Sequence, residues 1–193
     1  MKYLILLLIS LLVLVSCSNK TSNEVKKQES VSTEDVDKEI NNPFFTMSLE
    51  KFVDEYNSNI DILIDNDNDV VPSHIDLNKI GDFQKEENNS YIKKIVKEND
   101  KNKEQNYDIT AWYNQDKKLY QLTLVTMSID DNFSEKGIAS SIVLLRTLGL
   151  DGSKINEFFK GDDDEITYQE GGYNVSLKMI SDMGVLMVSV KVK

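Results

Sequence analysis

The sequence predicts an α+β fold, an antiparallel sheet with helices packed on one face. Three observations predict it. Helical faces recur at two separate places, each closed by a breaker or a polar run; alternating apolar runs are joined by short turns; and a helix precedes a group of strands twice.

In chain order, Ser48 is placed to cap a helix whose Leu49, Phe52, Val53 and Tyr56 fall at i, i+3, i+4 and i+7 on one face. Met47 and Phe52 stand at the positions of a hydrophobic staple. Residues 60–64 read as a separate short apolar segment before the polar run 65–69. Residues 90–97 are richer in Tyr, Ile and Val than a helix favours and are expected to be a strand. Across 106–113, Tyr107, Ile109, Ala111 and Tyr113 share one side; after the turn 114–117 a long strand follows over 118–129, which makes an antiparallel hairpin. Ile138, Ile142, Leu145 and Leu148 mark a second helical face, closed by Gly149. Ser153–Lys160 suits a third helix, with Ile155, Phe158 and Phe159 inward and Gly161 as its stop. The chain finishes with strands at 165–168, 173–180 and 185–192, joined by Gly171-Gly172 and by a turn over 181–184. The order outlines two helix-then-strands units without a sequence repeat, within one globular domain over 43–193.

The 193 residues carry 22 Lys and Arg against 33 Asp and Glu, a formal charge of -11. A surface built to neutralise nucleic-acid phosphates would be a local exception in such a chain, so no nucleic-acid partner is expected. A single cysteine, Cys17, excludes an intrachain disulfide.

Lys2 precedes an apolar run from Tyr3 to Val15 interrupted by Ser10, and Ser16 and Cys17 follow. The run is shorter than the roughly 20 apolar residues of a membrane span. Its layout is that of a signal peptide with a small-residue cleavage site. Leu14-Val15-Ser16-Cys17 resembles the lipobox of bacterial lipoprotein precursors. The resemblance implies cleavage after residue 16, a diacylglycerol on the sulfur of Cys17, and anchorage at the extracytoplasmic face of the cell membrane. Two acyl chains supply the double anchor that one chain cannot. Removing residues 1–16 takes away Lys2 and no acid, so the charge of -11 becomes -12. Residues 18–42 are mostly Ser, Asn, Lys, Glu, Thr and Asp with scattered Val and one Ile, too little apolar surface to offset chain entropy, and are expected to form a disordered tether.

The helix-then-meander layout of residues 49–129 and again of 138–192 is similar to the tandem units of the β-lactamase-inhibitor-protein-like fold. That resemblance rests on layout, not on signature residues, and implies a fold alone.

Motifs for chemistry are sparse. His74 is the one histidine, and no G-x-S-x-G elbow or spaced partner accompanies it. Asp65, Asp67 and Asp69 fall at positions 1, 3 and 5 of a calcium loop with Asp76 at position 12, yet Val70 replaces the turn glycine, Pro72 lies inside, and Asp76 is shorter than the bidentate Glu. Asp65, Asp67, Asp69 and Asp76 are thus a weak calcium candidate, and no metal or other cofactor is expected. The run Asp162-Asp163-Asp164-Glu165 reads as a solvated turn. Tyr107, Tyr113, Tyr120 and Tyr168 fit strand faces; most are expected in the core, and one such face is a candidate binding platform. The expectation is a membrane-anchored, extracytoplasmic, non-enzymatic binding module for a protein or cell-envelope ligand, held to membrane lipid through Cys17. An inhibitor or immunity protein against an envelope enzyme or toxin is the alternative, and a carboxylate-based envelope hydrolase a third reading.

Overall fold

A computed structural model describes residues 43–100, 105–128 and 133–193. The protein is α+β: three helices pack on a seven-stranded antiparallel sheet. Helix α1 spans Leu49–Asp65; strands β1 (Gln84–Lys85), β2 (Tyr91–Asp100), β3 (Gln105–Tyr113) and β4 (Leu119–Ser128) follow. Helices α2 (Glu135–Thr147) and α3 (Ser153–Lys160) then lead into β5 (Glu165–Glu170), β6 (Tyr173–Ile180) and β7 (Val185–Val192). The spatial order is β1-β2-β3-β4-β7-β6-β5. Each helix-then-strands unit is a meander, and the two meanders meet along their last strands, β4 and β7.

Helix α1 begins as its sequence directs, with the Ser48 side chain accepting from the Lys51 backbone N–H. It continues through residues 60–64, which the sequence reading had separated. Ile60 and Leu63 extend the stripe from Tyr56 and pack on the core, while Ile62 and Ile64 face outward and obscure the period. The turns follow local chemistry. Gly171 and Gly172 adopt positive φ (55° and 88°) between Glu170 and Tyr173, as a two-residue hairpin requires. Asn114 Oδ1 accepts from the backbone of Asp116 and Lys118 to close the β3–β4 turn.

Alternation decides which side of the sheet is covered. The inward residues Ile109, Ala111, Leu122, Leu124, Leu186, Val188, Val190, Val175 and Leu177 are all fully buried, and they form one cluster with Phe52, Val53, Tyr56 and Ile60 of α1, Val143, Leu144 and Leu145 of α2, and Ile155 and Phe158 of α3. Helix α2 sits low on the sheet because its inner face is small: Gly137, Ser140 and Ser141 are buried there. A Cβ on Gly137 would lie 2.5 Å from Thr126 Cγ2 and 2.6 Å from its Cβ. The Tyr56 hydroxyl and Ser140 Oγ, 2.6 Å apart, tie α1 to α2 in the interior, and burial drives the Tyr56 pKa far above its ordinary value.

Gly137→Ala tests this close approach. Alanine is the better helix former by about 1 kcal/mol, yet overpacking against a strand should lower stability by about 1–3 kcal/mol. Urea denaturation will read this as a reduced midpoint at unchanged slope; a midpoint equal to or above the parent's would show that the helix can ride outward freely.

Candidate functional site

Strand parity that buries one face of the sheet leaves the other without a helix. None of Trp112, Val125, Met127, Met187 or Ile180, which alternate with the buried set, belongs to the core cluster. Cross-strand register then assembles rows of side chains on this open face. Thr110 lies opposite Thr123, Thr123 opposite Ser189, Ser189 opposite Ser176, and Ser176 opposite Thr167. With neighbouring strands roughly 4.8 Å apart, these hydroxyls form a row about 20 Å long over five strands. Lys94, opposite Thr110 on β2, donates from Nζ to Thr110 Oγ1 at 3.1 Å and ends the row. Short hydroxyl side chains thus occupy the row across the middle of the sheet.

The flanking rows differ in character. On one side run Trp112, Gln121, Lys191, Asn174 and Gln169, with the Lys191 ammonium 5.7 Å from the Tyr120 ring centroid. Across the hydroxyls run Lys97, Asp108, Val125, Met187, Lys178 and Glu165. Beyond this row Met127 is 44% exposed and Ile180 38%, while Met183, in the single 3-10 turn between β6 and β7, is 56% exposed. Charge on this face opposes that of the whole chain. Lys94, Lys97, Lys178 and Lys191 project here against two acids, Asp108 and Glu165, and Glu165 is paired with Lys178 at 3.0 Å.

A second feature lies at the β2 edge. Residues 73–81 and Lys94–Asn99 enclose an open cleft of about 550 Å3. Its base is a polar cluster: Tyr107 OH donates to Glu98 Oε2 at 2.7 Å and accepts from the Ser73 N–H at 3.2 Å, and Lys136 Nζ reaches Glu98 Oε1 at 2.8 Å. Burial alone would raise the Glu98 pKa, but hydrogen bonds from Lys136, Ser73 and Tyr107, together with the Lys136 charge, outweigh it and hold the carboxyl below its usual range. Asn57 of α1 fixes the cleft wall through two bonds to the Ile75 backbone, 2.9 and 2.7 Å. His74 Nε2 meets Asp61 Oδ1 at 2.8 Å with both side chains about half exposed. No described Ser or Thr hydroxyl bonds to the ring, so this pair braces the loop against α1 without forming a relay.

The residues singled out in the sequence are distributed as follows. Asp65 closes α1, and the side chains of Asn66 and Asn68 turn back to the Ile62 and Leu63 carbonyls. Asp67 sits at φ 51°. Asp76 caps the 3-10 turn Leu77–Lys79, accepting from Asn78 N at 3.0 Å and pairing with Lys79 at 3.5 Å. Helix α1 thus enters this loop through the segment 60–64 that the sequence reading sets apart, but among the described residues no three His, Cys, Asp or Glu side chains are grouped to hold a metal ion. Of the four tyrosines on strand faces, most of which the sequence places in the core, Tyr107 and Tyr113 are buried on the helix side and Tyr168 packs there at the edge, with burial raising the Tyr113 pKa to about 12. Tyr120 borders the open face. Trp112 also lies on the open face, and its alternation with Ala111 and Tyr113 is the sequence signal for that placement. Cys17 and residues 18–42 lie outside the described residues. No described helix is long and apolar enough to cross a membrane. No protein-family model matches the chain, and comparison with curated proteins and with solved structures also returns no match.

The lowered pKa of Glu98 gives the cluster a pH signature. Its contribution to stability is complete above the unfolded carboxylate pKa, about 4.3, and is lost as pH falls through the folded-state value. Glu98→Gln should melt below the parent at pH 7, with the deficit shrinking toward pH 3. A deficit that stays constant over that range would remove the charged carboxylate from the account.

Proposed function

We propose that this protein is a non-enzymatic binding module, anchored at the extracytoplasmic face of the membrane through a lipid on Cys17, which engages a protein or cell-envelope ligand with the open face of its sheet. The observation that carries the reading is a six-strand face that no described helix covers, hydroxyl-lined at its centre and bordered by Trp112 and Tyr120 on one side and methionines on the other. Aromatic residues and Met are enriched in binding interfaces relative to the rest of a protein surface. The resemblance of residues 14–17 to a lipobox is what supports the anchor. The described side chains support binding more than catalysis, since His74 braces a loop and Glu98 is engaged by Lys136 and Tyr107.

Two variants test the two halves of this reading. Cys17→Ala should abolish palmitate incorporation and move the chain out of the membrane fraction; retained label would refute the anchor. Thr123→Arg places a long cation in the middle of the open face, whereas Ser58→Arg changes an exposed position on α1. In a pull-down of solubilised envelope material by the full chain in detergent, Thr123→Arg should lose specific retention at least tenfold and Ser58→Arg should keep it. Equal retention by both would place binding elsewhere.

A further inference from the structure

We propose that the free edge of β5 takes up an extended polypeptide segment with alternating Lys or Arg side chains as an eighth, antiparallel strand of the sheet. This surface is the rim of the sheet, and the inference does not depend on the open face being a binding surface.

Hydrogen-bond parity leaves that edge unsatisfied. Strand β5 is last in the sheet order. Glu170 and Tyr173 flank the Gly171-Gly172 turn and close it as a bonded pair, and at the other end the Met179 N–H donates to the Asp164 carbonyl at 2.8 Å. Bonded and non-bonded residues alternate along an antiparallel pair. Ile166 and Tyr168 therefore bond to β6, whereas Glu165, Thr167 and Gln169 turn their N–H and C=O groups outward. All three are exposed, and no described residue hydrogen-bonds to those outward backbone groups. A row of unpaired backbone groups on a regular strand is a template for one more strand. The opposite edge of the sheet is guarded instead: β1 covers Tyr91 and Ile92, and the rest of β2 carries a bulge between Lys94 and Val96 beside Lys93, Lys94 and Lys97. The β5–β6 register runs without a shift, and β5 contains neither Lys nor Pro.

Charge selects the strand that fits. Asp164 and Glu170 share the helix-side parity of Ile166 and Tyr168 and stand at the two ends of the edge. Asp162, Asp163 and Asp164 are exposed, and no described residue forms a salt bridge with them. Glu170 Oε1 accepts from the Asp151 N–H at 3.0 Å. Burial, and then Glu170, Asp151 and Glu157, raise the Tyr168 pKa to about 12, so these acids gather at the same end of the edge. Nearby cations do not cancel them. Lys178 is taken by Glu165 at 3.0 Å and Lys154 by Glu157 at 2.6 Å. With those pairs set aside, residues 151–170 keep Asp151, Asp162, Asp163, Asp164 and Glu170 against Lys160, with Arg146 of α2 acting on Asp151. Alternating Lys or Arg on an added strand would lay their stems along the part-exposed Ile166 and Tyr168 and bring their charges to Asp164 and Glu170. The same acids exclude competitors. A second copy paired about Thr167 would set Asp164 of each chain against Glu170 of the other, and an anionic bilayer or nucleic acid would be repelled.

Amide hydrogen exchange on the full chain in neutral detergent tests the proposal. The probe is a capped peptide of about eight residues alternating Lys with Thr, long enough to span β5; the comparison peptide alternates Glu with Thr. Without peptide, the amides of Glu165, Thr167 and Gln169 should exchange faster than those of Ile166 and Tyr168. Saturating Lys peptide should slow the three by about tenfold or more and leave residues 93–100 unchanged. With Lys on the helix side of an antiparallel strand, the Thr residues of the peptide are the ones that bond to β5. N-methylation of the Thr amides should therefore weaken binding by about tenfold, while N-methylation of the Lys amides should leave it within about threefold. The Glu peptide should bind about tenfold more weakly than the Lys peptide at low salt. Asp162→Asn/Asp163→Asn/Asp164→Asn should narrow that gap, with far-UV circular dichroism confirming the fold. Thr123→Arg, on the open face three strands away, should bind the Lys peptide as the parent does. Equal effects of methylation at the two sets of amides would reduce the interaction to charge and overturn the proposal. So would equal affinity for the Lys and Glu peptides, protection of residues 93–100 in place of the β5 amides, or loss of the peptide by Thr123→Arg. Protection of the three amides before peptide is added, or rising with protein concentration alone, would equally overturn it.

Discussion

The pairing of β4 with β7 is the constraint on which the rest of the molecule depends. Each helix-then-strands unit is a meander of local hairpins, and a lone meander of three or four strands has two edges and a thin core. Joining them through Leu122↔Val190, Leu124↔Val188 and Thr126↔Leu186 puts fully buried side chains under the helices from both halves. The alternate positions, Thr123↔Ser189 and Val125↔Met187, point the other way and carry the open face across the same seam. One set of backbone hydrogen bonds therefore sets both the core and the surface, because a one-residue slip would exchange them.

The helical side shows how the covered face is kept closed. Helix α2 lies against β4 where Gly137 leaves room for Thr126, and its small serines allow Tyr56 of α1 to reach Ser140. At the β2 end, where the free edge would otherwise fray, Glu98 gathers Tyr107 of β3 and Lys136 of α2, and Tyr107 in turn holds the Ser73 backbone. Covering one face so completely is what leaves the other available.

Much of this was legible in the sequence because local signals are strong. Period-2 alternation located β3, β6 and β7, and Gly149, Gly161 and Gly171-Gly172 stand where elements end or turn. Two elements were misjudged for identifiable reasons. Outward Ile62 and Ile64 disguised the last turns of α1, and the first turns of α2 face inward with Gly137, Ser140 and Ser141, so an apolar count found the half-buried flank at Ile138 and Ile142 there, while Leu145 and Leu148 are core as expected. Pairing of β4 with β7 joins residues 60 to 70 positions apart in the chain, and no local pattern encodes it. The charge of the open face was hidden for the same reason, since Lys94, Lys178 and Lys191 become neighbours of one surface only when register is known.

Native-state hydrogen exchange at the seam tests the account most directly. If one sheet supports one continuous face, the amides bonded between β4 and β7 should exchange only through global unfolding, with the same opening free energy as those between β3 and β4 and between β6 and β7. Seam amides that exchange at lower free energy than both meanders would mean that the two halves open independently, and a single binding face across them would be contradicted.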